Sequence, residues 1–246
     1  MTLSIITVCY NSEKTIRKTI ESVLSQKYQN IEYIIVDGGS TDNTVNIIRE
    51  YGDRISNFIS EKDNGIYDAM NKGISLANGD IVGILNSDDI FYDNDTISCI
   101  AEKFNNNLNL ESIIGDIIFV KPNGKKHRHY SALNWTPKKF SCGLMPPHPT
   151  FYCKRTLFDK FGVYRNDFKI AADYELLIRF LLVNDINYEY IPKILVSMSL
   201  GGNSTKNLTS KLIINKEVLR ACKLNNIDTN IFKLYSKYFF KLKEFF

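Results

Sequence analysis

Along the first part of the chain the spacing of apolar residues switches repeatedly between a strand-like and a helix-like period. Leu3 to Val8 is a short β-branched run, and Glu13 to Gln26 follows with Ile16, Ile20, Val23 and Leu24 on one helical face. Ile31 to Val36 repeats the strand signal. Asp37-Gly38-Gly39-Ser40-Thr41-Asp42 then interrupts it before a helix carrying Val45, Ile47 and Ile48. A third unit is weaker: Phe58-Ile59-Ser60 reads as strand, Tyr67 to Ala77 as helix, and Asp80 to Leu85 as an apolar strand ending in Asn86-Ser87-Asp88-Asp89. Strands alternating with helices predict an α/β class with a parallel sheet. Ligands of such sheets sit beyond the carboxyl ends of the strands, so Tyr10-Asn11, Asp37 to Gly39 and Asn86 to Asp89 are expected to line one crevice.

After Asp95 the pattern becomes α+β. It predicts a helix near Thr96 to Phe104, strands around Ser112 to Val120 and His127 to Leu133, and a proline-rich loop at Met145 to Pro149. A helix around Ala172 to Val183 and strand-like runs at Tyr188 to Ile191 and Ile194 to Met198 lead to Gly201-Gly202-Asn203-Ser204, and the remainder reads helical. No repeat or low-complexity linker divides the chain. The expectation is one domain over residues 1–205, with a nucleotide-binding half (1–95) and an acceptor-facing half (96–205), followed by a helical tail (206–246).

At 246 residues and 44% hydrophobic, the chain has material for a large core. Its formal charge of +4 is mild and dispersed, which gives no support for nucleic-acid binding. Five cysteines, an odd number without a C-x-x-C pair, read as reduced thiols. Met1 to Ser4 lead straight into a strand pattern, leaving no room for a secretory leader, and no stretch approaches the roughly 20 apolar residues of a membrane span. The expected location is therefore cytoplasmic, with any membrane association peripheral. Asn230 to Phe246 carries Lys233, Lys237 and Lys241 at helical spacing between apolar faces, which fits a basic amphipathic helix in a membrane interface, a helix docked on the core, or a subunit contact.

Neither G-x-G-x-x-G after the first strand nor G-x-x-x-x-G-K-[ST] is present, so phosphate groups would need another counter-charge. Asp88 and Asp89, where a buried strand surfaces, suit a divalent cation bridging protein and diphosphate oxygens; a solvated turn is the plainer reading of the same residues.

Four segments occur in order: Ser4-Ile5-Ile6-Thr7-Val8-Cys9-Tyr10-Asn11, Val36 to Asp42, Asn64-Gly65-Ile66-Tyr67-Asp68-Ala69-Met70-Asn71-Lys72-Gly73, and Leu85 to Asp89. With Met145 to Phe151 and Ile170 to Arg179, the chain resembles a family 2 glycosyltransferase of the GT-A fold over about Leu3 to Ser204, and within it the transferases of bacterial O-antigen and capsule assembly. The resemblance implies an open, twisted, mainly parallel nucleotide-binding sheet flanked by helices. It also implies a UDP-sugar donor, Mn²⁺ or Mg²⁺, a glycan or lipid-linked acceptor at the cytoplasmic face of the inner membrane, and inversion at the anomeric carbon.

For the nucleotide, the resemblance implies Thr7, Tyr10, Asn11, Asp37, Asp68, Asn71 and Asp88 as binding residues. Tyr10 offers a face for a pyrimidine. Asp37 either accepts the uracil imide N–H or shapes the turn before Gly38-Gly39, and Asp68 is equally readable as a helix cap. The family pattern has Asp where Asn86 stands, so metal ligation falls on Asp88 and Asp89. Asp173 is the candidate general base, without the acidic residue that often precedes it, since Ala172 stands there. His148, held between Pro147 and Pro149, and Arg179 are candidates for donor or acceptor contacts; a structural histidine and an arginine paired along its own helix are the alternatives. The run Lys125-Lys126-His127-Arg128-His129 reads as a solvated hairpin or a phosphate contact. Two other classes stay in view. A nucleotidyltransferase would want a glycine-rich basic loop where Tyr10-Asn11-Ser12-Glu13 stands, and a non-catalytic sugar-nucleotide-binding subunit would not need Asp173.

Overall fold

The computed structural model describes residues 1–121, 123–200 and 208–235. At its centre is β1 (Leu3–Cys9), buried at every position because both of its faces are covered. Odd and even residues part company there: Leu3, Ile5 and Cys9 pack into one core layer, Ile6 and Val8 into the other. β2 (Ile31–Asp37), β3 (Asn57–Ser60) and β4 (Ile81–Ile84) join β1 in parallel, in the order β3-β2-β1-β4.

Beyond β4 the sheet turns mixed. β8 (Tyr152–Lys154) lies antiparallel between β4 and β6 (Ser112–Val120). β9 (Tyr188–Ser199) runs parallel to β6, β5 (Asp89–Phe91) closes the far edge antiparallel to β9, and β7 (Lys126–Tyr130) pairs with the outer part of β6. The parallel pairing expected of the first half thus covers β3-β2-β1-β4, and the α+β character expected after Asp95 is the mixed part. Two strand runs predicted around Pro192 are one strand: the partner of Ile114 is Tyr190 and that of Asp116 is Ile194, so Ile191 to Lys193 bulge opposite Gly115. A bulge accommodates a proline that a regular ladder would exclude.

α1 (Ile16–Leu24), α2 (Thr44–Arg49) and α4 (Thr96–Asn106) cover one face, where Ile16, Ile20, Ile48, Ile97 and Ile100 meet Ile5 and Ile35. α3 (Ile66–Leu76), α5 (Thr156–Phe161), α6 (Ala172–Ile178, continued by a π-helical turn over Arg179–Val183) and α7 (Leu208–Leu224) build the other. Each fully buried Ile or Leu contributes about 1.5–3 kcal/mol. α3 sits close on β1 because Gly73 has no side chain; a Cβ there would meet Ile6 Cγ2 at 2.4 Å. α7 also enters the core: Val218, Ala221 and Cys222 are buried. Beyond it, a helical start at 231–235 buries Leu234 but exposes Ile231, Phe232 and Tyr235. The rest of the predicted amphipathic segment, 236–246, and the Gly201 to Ser204 stretch lie outside the described residues.

Candidate active site

The carboxyl ends of β1, β2 and β4 are tied into one rim. Asn11, at φ 49°, donates its N–H to Ser40 Oγ at 2.8 Å, and its Oδ1 accepts Thr41 N–H at 2.9 Å. Ser12 Oγ meets Ser87 Oγ at 2.9 Å, which brings the β1 turn against the Asn86–Asp89 turn. Tyr10 stands on this rim with 61% of its surface exposed, an aromatic face held at a strand end rather than packed.

Asp37 is fully buried, and its carboxylate is engaged by its own surroundings. Oδ2 accepts the N–H groups of Gly39 (3.1 Å) and Ser40 (2.9 Å) and the hydroxyl of Ser60 (2.7 Å), while Oδ1 takes Ser40 Oγ and faces Cys9 Sγ at 3.5 Å. The turn-forming role is what this geometry displays. Burial and the neighbouring carboxylate push the Cys9 thiol far up, so it stays protonated as a donor. Asp63 packs its carboxyl against Gly38, where an added Cβ would lie 2.3 Å from Oδ2.

Four further candidates have internal partners. Thr7 is fully buried and receives the Tyr33 hydroxyl at 3.2 Å, so its side chain does not reach the rim. Asp68 accepts Asn64 N–H at 3.1 Å and lies 3.5 Å from Lys72 Nζ, fastening the start of α3. Asn71 grips one residue at two points, donating to Tyr164 O (2.8 Å) and accepting from Tyr164 N (2.9 Å). Arg179 spends all five N–H donors internally: two on Glu175, at 3.2 and 2.9 Å, and three on the carbonyls of Phe161, Gly162 (2.8 Å) and Val163 (2.9 Å). Arg179 thus pairs along its own helix, the alternative reading of this residue, and anchors α6 to the end of α5.

Asp173 opens α6, half-buried. Its Oδ1 accepts Tyr174 N–H at 2.8 Å and lies 3.4 Å from Tyr67 Oη, which itself donates to Ile170 O. Burial raises the carboxyl above the ordinary aspartate range, opposed by the nearby His148 and by these hydrogen bonds. His148 is buried in a short 3₁₀ turn, its Nε2 2.7 Å from Tyr164 Oη, and burial lowers its pKa. This internal pairing is what the structural reading of His148 expects. At the mouth of α6, Glu217 of α7 accepts three consecutive N–H groups, from Lys169 (2.7 Å), Ile170 (2.9 Å) and Ala171 (2.9 Å). Neither Tyr164 nor Glu217 belongs to a sequence motif, while Tyr67 lies inside the Asn64–Gly73 segment without a role of its own there.

At the other end of the rim Asp88 is half-exposed and Asp89 buried. Burial and the adjoining Asp88 charge raise the Asp89 carboxyl well above its ordinary range, against hydrogen bonds from the Asn86 amide and Ser199 N–H. Among the described residues no three His, Cys, Asp or Glu side chains converge on a point. Asn86 Oδ1, however, is buried without a hydrogen-bond partner. An unsatisfied amide oxygen beside two carboxylates fits an oxygen-seeking cation whose remaining ligands come from substrate phosphates.

The parallel half of the sheet thus carries an exposed aromatic and an acidic turn at its strand ends, where the ligands of such sheets bind, as in nucleotide-sugar-dependent transferases. Residues 4–169 match the family model described as glycosyl transferase family 2. An uncharacterized glycosyltransferase of Mycobacterium tuberculosis is 31% identical over 192 residues, spanning 74% of this chain and 70% of that protein. A PGL/p-HBAD biosynthesis glycosyltransferase of Mycobacterium bovis is 26% identical, spanning 88% of this chain and 82% of that protein. Among solved structures, S. aureus TarS in complex with UDP-GlcNAc superposes with TM-score 0.73 at 19% identity, covering 94% of this chain and 68% of that one. The Pyrobaculum calidifontis mannosyltransferase PcManGT with GDP-Man and Mn²⁺ does so with TM-score 0.67 at 16% identity, covering 93% and 65%. The chain belongs to glycosyl transferase family 2 and is a glycosyltransferase of GT-A-like fold, moving sugar from a nucleotide-sugar donor to an acceptor.

Proposed function

We propose that the chain transfers a sugar from a UDP-sugar to a hydroxyl of a glycan or lipid-linked oligosaccharide in surface-polysaccharide assembly, with inversion at the anomeric carbon and Asp173 as general base. The observation that carries this reading is the environment of Asp173: a carboxyl raised by burial, yet fixed by Tyr174 N–H and Tyr67, is tuned to take a proton. As the acceptor oxygen bonds to the anomeric carbon, its proton passes to the Asp173 carboxylate, and the bond from that carbon to the diphosphate oxygen breaks, releasing UDP. Tyr10 stacks the base of the nucleotide. Asp37 keeps the β2 turn in shape beneath it, and uracil selection is therefore assigned to the assembled rim rather than to the Asp37 carboxylate alone. In support of uridine stands the likeness to a structure holding UDP-GlcNAc; PcManGT holds GDP-Man, so the nucleotide is a testable choice.

Asp88, with Asp89 and the Asn86 oxygen behind it, would hold the divalent cation, Mn²⁺ or Mg²⁺. That ion, when bound, neutralises charge on the departing diphosphate. Residues 1–95 serve the donor and 96–205 the acceptor, with 206–246 as a helical extension. Its exposed Ile231, Phe232 and Tyr235, beside Lys233, suit a peripheral contact with a membrane carrying the acceptor. No helix among the described residues is long and apolar enough to cross one. Calorimetric titration with UDP, CDP and GDP in the presence of Mn²⁺ tests the donor assignment: UDP should bind at least about tenfold more tightly than the others, which corresponds to about 1.4 kcal/mol. Preference for GDP or CDP would overturn it.

A further inference from the structure

Tyr164 lies in the loop between α5 and α6 and has no part in any recognised motif, yet the surroundings of Asp173 converge on it. Asn71 of α3 holds its backbone from both sides, at 2.8 and 2.9 Å, across 93 residues of chain. Its ring is stacked on Tyr67, with centroids 5.7 Å apart and planes at 21°, and meets the His148 ring edge-on at 5.7 Å and 74°. Its hydroxyl meets His148 Nε2 at 2.7 Å. Tyr67 in turn stands 3.4 Å from Asp173 Oδ1. Three separate segments, α3, the His148–Thr150 turn and the loop before α6, are thus keyed together through one buried phenol.

We propose that Tyr164, clamped by Asn71, is the positioning residue of the catalytic base: by fixing Tyr67 on its face and His148 at its hydroxyl, it sets the orientation of the Asp173 carboxyl and keeps water from it. This rests on the reading of Asp173 as base. The phenol transfers no proton in the reaction; it acts through its two neighbours. The titratable groups acting on or acted on by Asp173 are His148 from the turn, Tyr67 from α3 and Tyr164 itself from the loop before α6. Arg179 also acts on Tyr164 but is neutralised by its pairing with Glu175. Loss of the hydroxyl leaves the buried His148 Nε2 without its partner, which draws water in and loosens the wall.

The test uses the full chain carrying Tyr164→Phe, with kcat and KM measured across pH for a UDP-sugar that the wild type turns over. The expected result is kcat lowered about tenfold with the UDP-sugar KM within about twofold, and the acid limb of kcat shifted to lower pH as Asp173 is rehydrated. Asn71→Ala should produce the same displacement of the limb. In an Asp173→Asn background, Tyr164→Phe should add no further loss. UDP binding by calorimetry identifies a misfolded variant, in which case Asn71→Ala decides. A wild-type kcat and an unmoved acid limb in a UDP-binding variant would overturn the proposal. An inactive wild type would instead overturn the reading of function.

Discussion

Asp173 Oδ1 lies 3.4 Å from the hydroxyl of Tyr67 while the carboxyl itself is raised above the ordinary aspartate range by burial. This relation links catalysis to stability with a definite sign. A folded-state pKa above the unfolded one means that the native state binds the extra proton. Stability is then greatest below the unfolded value and declines as pH rises through the folded one. Asp173→Asn should therefore unfold at a slightly higher temperature than wild type at neutral pH while losing transfer activity by at least about 10²-fold. Thermal melts at acid and neutral pH check this: the stabilisation should vanish in acid.

The Arg179–Glu175 pair predicts a structural, not a substrate-binding, phenotype. Glu175 is 3% exposed, and removal of its partner leaves a buried charge. Arg179→Ala should cost about 3–5 kcal/mol in urea denaturation. UDP affinity of the folded fraction should stay within about twofold, since 1.4 kcal/mol marks a tenfold change.

Asp37→Asn separates shape from recognition. The carboxylate collects two N–H groups and two serine hydroxyls, and an amide nitrogen there would face donors. The expected outcome is a loss of about 1–3 kcal/mol in stability, with weaker binding of UDP and CDP alike. Unchanged stability with a switch from UDP to CDP would show that Asp37 reads uracil directly.

Glu217→Ala leaves three N–H groups at the mouth of α6 without their acceptor. Activity should fall, and stability should drop by about 1–3 kcal/mol, although the residue lies beyond the stretch matched by the family model. Glu217→Gln, retaining one oxygen, should recover part of both in parallel kinetic and denaturation measurements.

Tyr10→Ala should weaken UDP by about 0.5–1.5 kcal/mol, the worth of an aromatic stack, and Tyr10→Phe should not. Calorimetry without an acceptor isolates this term.

The parallel half was legible because its signals are local. β1 and β2 are apolar runs sealed on both faces, and α1 shows one apolar stripe, so periodicity found them. β5 and β8, three residues each, are too short to show a period, and β9 was split because a proline sits in its bulge. At the site, Tyr10, Asp88 and Asp173 were visible as residue types at the ends of elements. The internal partners of Thr7, Asn71 and His148 were not, because each is set by a distant segment or by which face of an element points inward; for Arg179 the pairing along its own helix was legible, the carbonyls it also binds were not. Asn71 finds Tyr164 across 93 positions, and Arg179 finds the carbonyls closing α5. Sequence spacing places Asp173 at the start of α6; only the packed chain brings Tyr67 to it and Glu217 to the N–H groups before it.

Turnover tests the role of Asp173 most directly. Purified chain is incubated with individual UDP-sugars, Mn²⁺ and a lipid-linked acceptor extract, and both UDP release and sugar transfer are followed for wild type and Asp173→Asn. The prediction is acceptor-dependent turnover of one UDP-sugar, abolished by chelation and by Asp173→Asn while UDP binding persists. Turnover retained in Asp173→Asn, or absent across a broad donor and acceptor panel, would contradict it.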